Sequence, residues 1–164
     1  MFSDFIKKLM FTRKFYMNKG AIEILNRKHV LLSSSILSSL QNKTMYNEMK
    51  KVAQQDIHEY CNIFGSKRQD LIKNIENIFN MYGLGMLELK NVDFQKNDVK
   101  LCLYNSTIAH NNGFTEGCNC KMAAGILAGI FSYLFDNNID CEEIKCYSKG
   151  DEYCEFILKK EEKQ

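Results

Sequence analysis

The stretch from Gly117 to Leu158 constrains the fold most, because five of the chain's seven cysteines lie in it. It reads GCNCKMAAGILAGIFSYLFDNNIDCEEIKCYSKGDEYCEFIL. Its apolar segment, rich in small residues, predicts a buried helix, and the alternation that follows predicts two strands. Lys149-Gly150-Asp151 marks the turn between them, since Gly accepts a positive φ and Asp hydrogen-bonds nearby backbone. The chain should therefore end in a helix and a β-hairpin that carry most of its thiols.

Four side chains of this stretch have the chemistry of a zinc site: Cys120, Glu143, Cys146 and Cys154. Opposite positions on a hairpin hold Cβ atoms ~4.5–5.5 Å apart, which suits Cys146 and Cys154 as two thiolate ligands and would also suit a disulfide. A regular strand points Glu143 to the other face, so only a β-bulge or a twisted strand end brings it to the site. Cys120 begins the helix, where backbone N–H groups favour a thiolate. The alternative is that these cysteines are small buried apolar residues.

The order of these residues resembles the 4-vinyl reductase domain family. A cysteine precedes the apolar helix, and E-x-x-C-x-x-x-G-D-x-x-C-x-F then runs from Glu143 to Phe156. The family includes the sensor domains of aromatic-responsive transcriptional activators, and it is similar in fold to nitric-oxide-signalling ligand-binding domains and to TRAPP Golgi-transport subunits. In the phenol-sensing members a Cys, a Glu and two further Cys bind structural zinc. The resemblance implies the same role for Cys120, Glu143, Cys146 and Cys154.

Two further thiols, Cys118 and Cys141, lie close by in sequence and are alternative ligands. A closed site with four protein ligands leaves no position for a substrate water, so the ion would be structural. Three thiolates and a carboxylate exceed the charge of Zn²⁺ by two, and Lys145 or Lys149 is positioned in sequence to offset it. No catalytic residue is predicted.

The remaining sequence predicts an α+β fold. We expect a short amphipathic N-terminal helix in residues 1–18, which either docks on its own domain or contacts a membrane surface or a second copy. Residues 19–164 should form one ligand-binding domain. Helical periodicity begins at Leu31 and continues over 44–64 and 66–82, strands follow at 86–92 and 99–104, and residues 105–116 are predicted to be a loop. The expected architecture is an antiparallel sheet of about five strands packed with helices.

Composition restricts the location and the partners. A net charge near +2 does not favour a nucleic-acid groove, and no apolar run reaches the ~20 residues of a membrane span. An odd number of cysteines without a signal peptide indicates a reducing cytoplasm.

The resemblance implies an internal apolar pocket between sheet and helices for an aromatic or other hydrophobic small molecule. Methionine and phenylalanine adapt to such pockets, although each is more often ordinary core. The small residues of the apolar helix either allow close approach of a neighbouring helix or leave space for a ligand. The predicted pocket residues are Met45, Met49, Phe64, Phe79, Met122, Phe131 and Phe135.

Three functions remain open. The first is a zinc-stabilised, stand-alone small-molecule-binding domain that acts as a sensor or carrier, works as a homodimer and passes any output to a protein partner. The second is an enzyme or accessory subunit of tetrapyrrole 4-vinyl reduction, although the sequence contains no dinucleotide-binding loop or flavin signature. The third is an assembly module like the Golgi-transport subunits, with no dissociable ligand.

Overall fold

A computed structural model describes residues 4–18, 20–25, 27–40, 45–64, 71–72, 74–96 and 98–161. The helices are α1 (Asp4–Phe11), α2 (Ser34–Leu40), α3 (Met45–Phe64), α4 (Ile75–Met81), α5 (Thr107–Asn112) and α6 (Lys121–Phe135). The strands are β1 (Phe15–Asn18), β2 (Ala21–Ile24), β3 (Arg27–His29), β4 (Met86–Asp93), β5 (Asp98–Tyr104), β6 (Ile139–Lys145) and β7 (Cys154–Lys160). Helices and antiparallel sheets occur together, so the predicted α+β class is confirmed.

The strands form two antiparallel sheets instead of one sheet of about five strands. The larger sheet has the order β4-β5-β7-β6, and the smaller one has the order β1-β2-β3. The hairpin of β1 and β2 crosses the boundary that we placed after residue 18, because Phe15 pairs with Ile24. Leu9, Ile24 and Leu25 form a small core of their own beneath this sheet. Tyr60 of α3 and Met81 of α4 pack against that core.

The main core lies between the larger sheet and helices α3 and α6. Alternation along β5 buries Val99, Leu101 and Leu103 on the face toward the helices, as predicted, and β7 adds Phe156 and Leu158. α6 lies between the sheet and α3, and 12 of its 15 residues are buried. This central position explains why the sequence of α6 is apolar around its whole circumference.

Residues 105–116 are not a loop throughout, as we had predicted, because Thr107–Asn112 forms α5. Ser106 caps this helix by accepting a hydrogen bond from the Ala109 N–H, and Ile108 and Ala109 are buried. The polar composition hides a single buried apolar pair that is sufficient to dock one and a half turns of helix. α5 consequently delivers Ser106, one of the polar groups that surround the cysteine cluster described below.

None of the described helices is both long enough and apolar enough to cross a membrane.

Candidate functional site

The four predicted metal ligands converge on one point at the edge of the larger sheet. Cys120 is the N-cap of α6, Cys146 directly follows β6, and Cys154 begins β7. The pairing of β6 with β7 shifts between Glu143 and Lys145, so a β-bulge interrupts the strand there. This bulge turns the Glu143 carboxylate toward the thiols, which a regular strand would not do.

The separations within the cluster suit a single ion. The Sγ of Cys120 lies 4.0 Å from the Sγ of Cys146 and 3.6 Å from that of Cys154, and Cys146 and Cys154 are 3.8 Å apart. A tetrahedral ion with Zn–S bonds of ~2.3 Å requires sulfurs roughly 3.8 Å apart. One ligand atom from each of the four residues lies within 4.8 Å of all the others. A disulfide would require bonded sulfurs, and all seven cysteines are free.

Hydrogen bonds from neutral groups surround the sulfurs. The Ser106 hydroxyl lies 3.3 Å from the Sγ of Cys120, and the Ser148 hydroxyl lies 2.9 Å from the Sγ of Cys146. The backbone N–H of Tyr147 donates to the Sγ of Cys154 over 3.4 Å. These donors stabilise thiolate charge without adding a formal positive charge.

The Glu143 carboxyl group fits a metal ligand best, because one of its oxygens has no other use. Oε2 accepts a hydrogen bond of 2.8 Å from the Cys120 N–H, whereas Oε1 is buried and has no hydrogen-bond partner among the described residues. A buried carboxylate oxygen without a partner is costly unless a cation compensates it. Burial raises the pKa of Glu143 to about 7, so without a cation its charge is only partly maintained at neutral pH.

The three thiols divide one negative charge unequally. Hydrogen bonds from Cys120 and Cys154 hold the pKa of Cys146 well below its usual range, although burial opposes them. Its own hydrogen bonds to Cys146 and Cys154 raise the pKa of Cys120 well above normal. A hydrogen bond from Cys120 lowers the pKa of Cys154, but the one to Cys146 and burial raise it further, to about 12. A divalent cation would allow all three thiols to ionise.

The residues considered as alternatives or as charge partners lie elsewhere. Cys118 and Cys141 are outside the cluster that the described residues form. Cys141 is buried on β6, and its N–H donates to the Tyr46 hydroxyl. Lys145 lies 3.5 Å from the buried carboxylate of Glu155 and does not face the sulfurs, while Lys149 is exposed. Neutral hydrogen-bond donors therefore take the place that we had assigned to a lysine.

A cleft of about 660 Å³ lies on the other side of α3, away from the cysteine cluster. It is bounded by β2 and β3 of the smaller sheet and by α3, α4 and α6. Apolar side chains form most of its wall, and charged side chains of β3 and α3 lie at one end. Its lining includes Ile24, Leu25, Met49, Val52, Ile57, Ile78, Ile126 and Ile130.

The predicted pocket residues are distributed differently from this lining. Met49 lines the cleft, and Met45 packs against the main core. Phe79, Met122, Phe131 and Phe135 are buried in that core and do not line the cleft. The side chain of Phe64 lies outside what the structure describes.

Sequence reasoning missed the polar residues that organise both places. Ser106 and Ser148 contact the sulfurs, and Asp151 accepts a hydrogen bond of 2.8 Å from the Cys146 N–H across the turn. The Ser106-x-x-Ala109 capping pattern was a usable signal for the first of these. No local pattern indicates the pairing of Arg27 with α3, because its partner Glu59 lies 32 residues away.

Comparison with known proteins agrees with this geometry. Residues 104–160, which contain α5, α6, β6, β7 and all four cluster residues, match the family model of the 4-vinyl reductase (V-4-R) domain. A protein of Methanocaldococcus jannaschii is 31% identical over 119 residues, which are 73% of this chain and 65% of that protein. The chain thus spans slightly less than two thirds of that relative's length.

Solved structures show the same fold. The phenol-responsive sensory domain of the transcription activator PoxR, solved with phenol, superposes with a TM-score of 0.77 at 15% identity, over 97% of this chain and 92% of that one. A vinyl-4-reductase family protein from Methanocaldococcus jannaschii gives 0.57 at 22% identity, with coverages of 77% and 74%. A trafficking protein particle complex subunit 3 from Naegleria fowleri, covalently bound to palmitic acid, gives 0.56 at 14% identity, with coverages of 80% and 84%. The resemblance carried by the cysteine motif is confirmed, and the chain belongs to the 4-vinyl reductase domain family through the domain at residues 104–160.

Proposed function

We propose that this protein is a small-molecule-binding domain that acts as a sensor or carrier and takes a hydrophobic ligand in the cleft between α3 and the smaller sheet. The observation that carries the proposal is the cleft itself, whose volume of about 660 Å³ and mostly apolar wall are those of a ligand site. The likeness to a phenol-responsive sensory domain over nearly the whole chain supports it. No dinucleotide-binding sequence motif favours the reductase alternative.

We propose further that Cys120, Glu143, Cys146 and Cys154 bind one Zn²⁺. Three thiolates and a carboxylate at tetrahedral spacing are a donor set that zinc prefers. The ion would act as a structural cross-link, joining the start of α6 to both strands of the C-terminal hairpin. Free thiols in this arrangement require a reducing compartment, for which the cytoplasm is our proposal.

Binding of a neutral naphthylamine dye tests the ligand site. The wild-type protein should enhance the fluorescence of the dye saturably, and Val52→Trp should weaken binding at least tenfold. Val52 lines the cleft and is 47% exposed, so a larger side chain there fills the cleft without displacing the core. Met86→Trp is the matched control, because Met86 is 53% exposed on β4 and does not line the cleft.

Equal dye affinity of Val52→Trp and the wild-type protein would place the dye elsewhere and contradict the proposal. Organic extraction of the purified protein followed by mass spectrometry is the companion experiment. It should return a lipophilic compound from the wild-type protein and less of it from Val52→Trp.

We also propose that the protein works as a homodimer, and its exposed apolar residues support this. Val30 and Leu31 are 82% and 84% exposed before α2, and Ile36 and Leu40 of α2 are about half exposed. Light scattering at micromolar concentration should report twice the monomer mass, and Leu31→Glu should reduce it to the monomer mass, because burying an unpaired carboxylate at an interface is costly. A monomeric wild-type protein would contradict the prediction.

A further inference from the structure

Arg27 at the end of the cleft is held by two carboxylates at once. Its Nη1 lies 2.8 Å from Asp56 Oδ1, and its Nη2 lies 2.8 Å from Glu59 Oε2. All three residues line the cleft. The side chain of Arg27 is 30% exposed, so this ion-paired group is partly removed from solvent. It also connects β3 of the smaller sheet to α3.

The arrangement leaves Arg27 without charge to offer a ligand. Two carboxylates and one guanidinium carry a net charge of −1, and a ligand carboxylate beside Arg27 would meet both acids at close range. Opposite charges at ~4 Å interact by about 4 kcal/mol at an effective dielectric constant of 20, and like charges repel equally. Lys28, also at the cleft, is exposed, so water and salt screen its charge. An anion that enters this cleft therefore loses hydration and gains no strong cationic partner from the described lining residues.

We propose that the cleft selects neutral lipophiles and rejects carboxylates with the same hydrocarbon chain, and that Asp56 and Glu59 set this specificity by occupying Arg27. The inference rests on the proposed ligand-binding function and names the chemical class of its ligand. Removing the two negative charges frees the guanidinium, which then becomes a carboxylate-binding group in an apolar cleft.

Displacement of the neutral naphthylamine dye by 1-dodecanol and by dodecanoate tests this selectivity. The wild-type protein should bind dodecanol at least tenfold more tightly than dodecanoate. Asp56→Asn combined with Glu59→Gln should bind dodecanoate at least tenfold more tightly than the wild-type protein does, with little change for dodecanol. The amides keep the size and hydrogen-bond acceptors of the acids, so the smaller sheet should remain docked on α3.

Two further variants separate specificity from structure. Lys28→Gln should leave both affinities within twofold of the wild-type values, because its charge is screened. Adding Arg27→Gln to the double variant should abolish the gain for dodecanoate while dodecanol still binds.

The outcomes distinguish the two proposals. A wild-type protein that binds dye but takes dodecanoate as tightly as dodecanol, or a double variant without a gain, overturns the inference and leaves the ligand-binding function standing. A wild-type protein that binds neither the dye nor either dodecyl compound overturns the proposed function, and this inference with it.

Discussion

Cys154→Ser is expected to abolish metal binding and to lower the free energy of unfolding by about 4 kcal/mol, the contribution of an ion present at a thousand times its Kd. Cys154 is fully buried at the start of β7, and its sulfur lies within 4 Å of the sulfurs of both Cys120 and Cys146. A serine hydroxyl does not ionise near neutral pH, so the site loses a thiolate and its closed coordination. The C-terminal hairpin should consequently lose its connection to α6.

The decisive measurement is the metal-to-protein ratio by atomic emission, on protein purified without chelators, together with thermal unfolding before and after a chelator. The wild-type protein should hold one zinc per chain and melt at a lower temperature after chelation. Cys102→Ser is the matched control, because Cys102 is as deeply buried on β5 but outside the cluster. It should lose about 1–3 kcal/mol from burying a hydroxyl, while keeping its full metal content.

Metal content discriminates where stability alone does not, since both serine variants are destabilised. A wild-type protein that contains no metal, or a Cys154→Ser variant that retains one ion per chain, would sink the zinc proposal. In the first case the three thiols would have to be explained as core residues that share one charge.

The cysteine site was largely predictable because its determinants are close in sequence. The hairpin spacing brings Cys146 opposite Cys154, and the requirement that Glu143 join them predicted a bulge that the pairing of β6 with β7 contains. Lys145, in contrast, was assigned by proximity in sequence, but a strand alternates its side chains and turns this lysine toward Glu155.

The cleft was less predictable because its walls come together only through tertiary packing. Met49 was predicted on composition, but the same composition gave Phe79 and Phe131, which fill the core. Phenylalanine and methionine have the same hydrophobicity whether they face a cavity or a neighbouring side chain. Only the position of the smaller sheet, whose strand β3 we had not predicted, determines which side of α3 remains open.

The small residues of α6 had two alternative explanations, and the structure supports close helix packing at two of them. A Cβ atom added to Gly125 would lie 2.5 Å from the carbonyl oxygen of Tyr46. A Cβ added to Gly129 would lie 2.2 Å from the carbonyl oxygen of Lys50 and 2.9 Å from the Cβ of Ala53. These atoms belong to α3, so α6 and α3 are in backbone contact there, and the glycines do not make space for a ligand.

Gly129→Ala is therefore expected to lower the free energy of unfolding by about 2 kcal/mol, even though alanine alone favours a helix by about 1 kcal/mol. The added methyl group meets backbone of α3, which moves only if the whole helix moves. Thermal unfolding should show a midpoint lower by roughly 4–8 °C, since 1 kcal/mol shifts the midpoint by about 2–4 °C at this size. Gly117→Ala is the matched control and should change it little, because a Cβ there meets nothing within 4 Å. Displacement of α3 should also weaken dye binding, since Val52 and Ile57 of that helix line the cleft. An unchanged midpoint for Gly129→Ala would show that the two helices are farther apart than the structure places them.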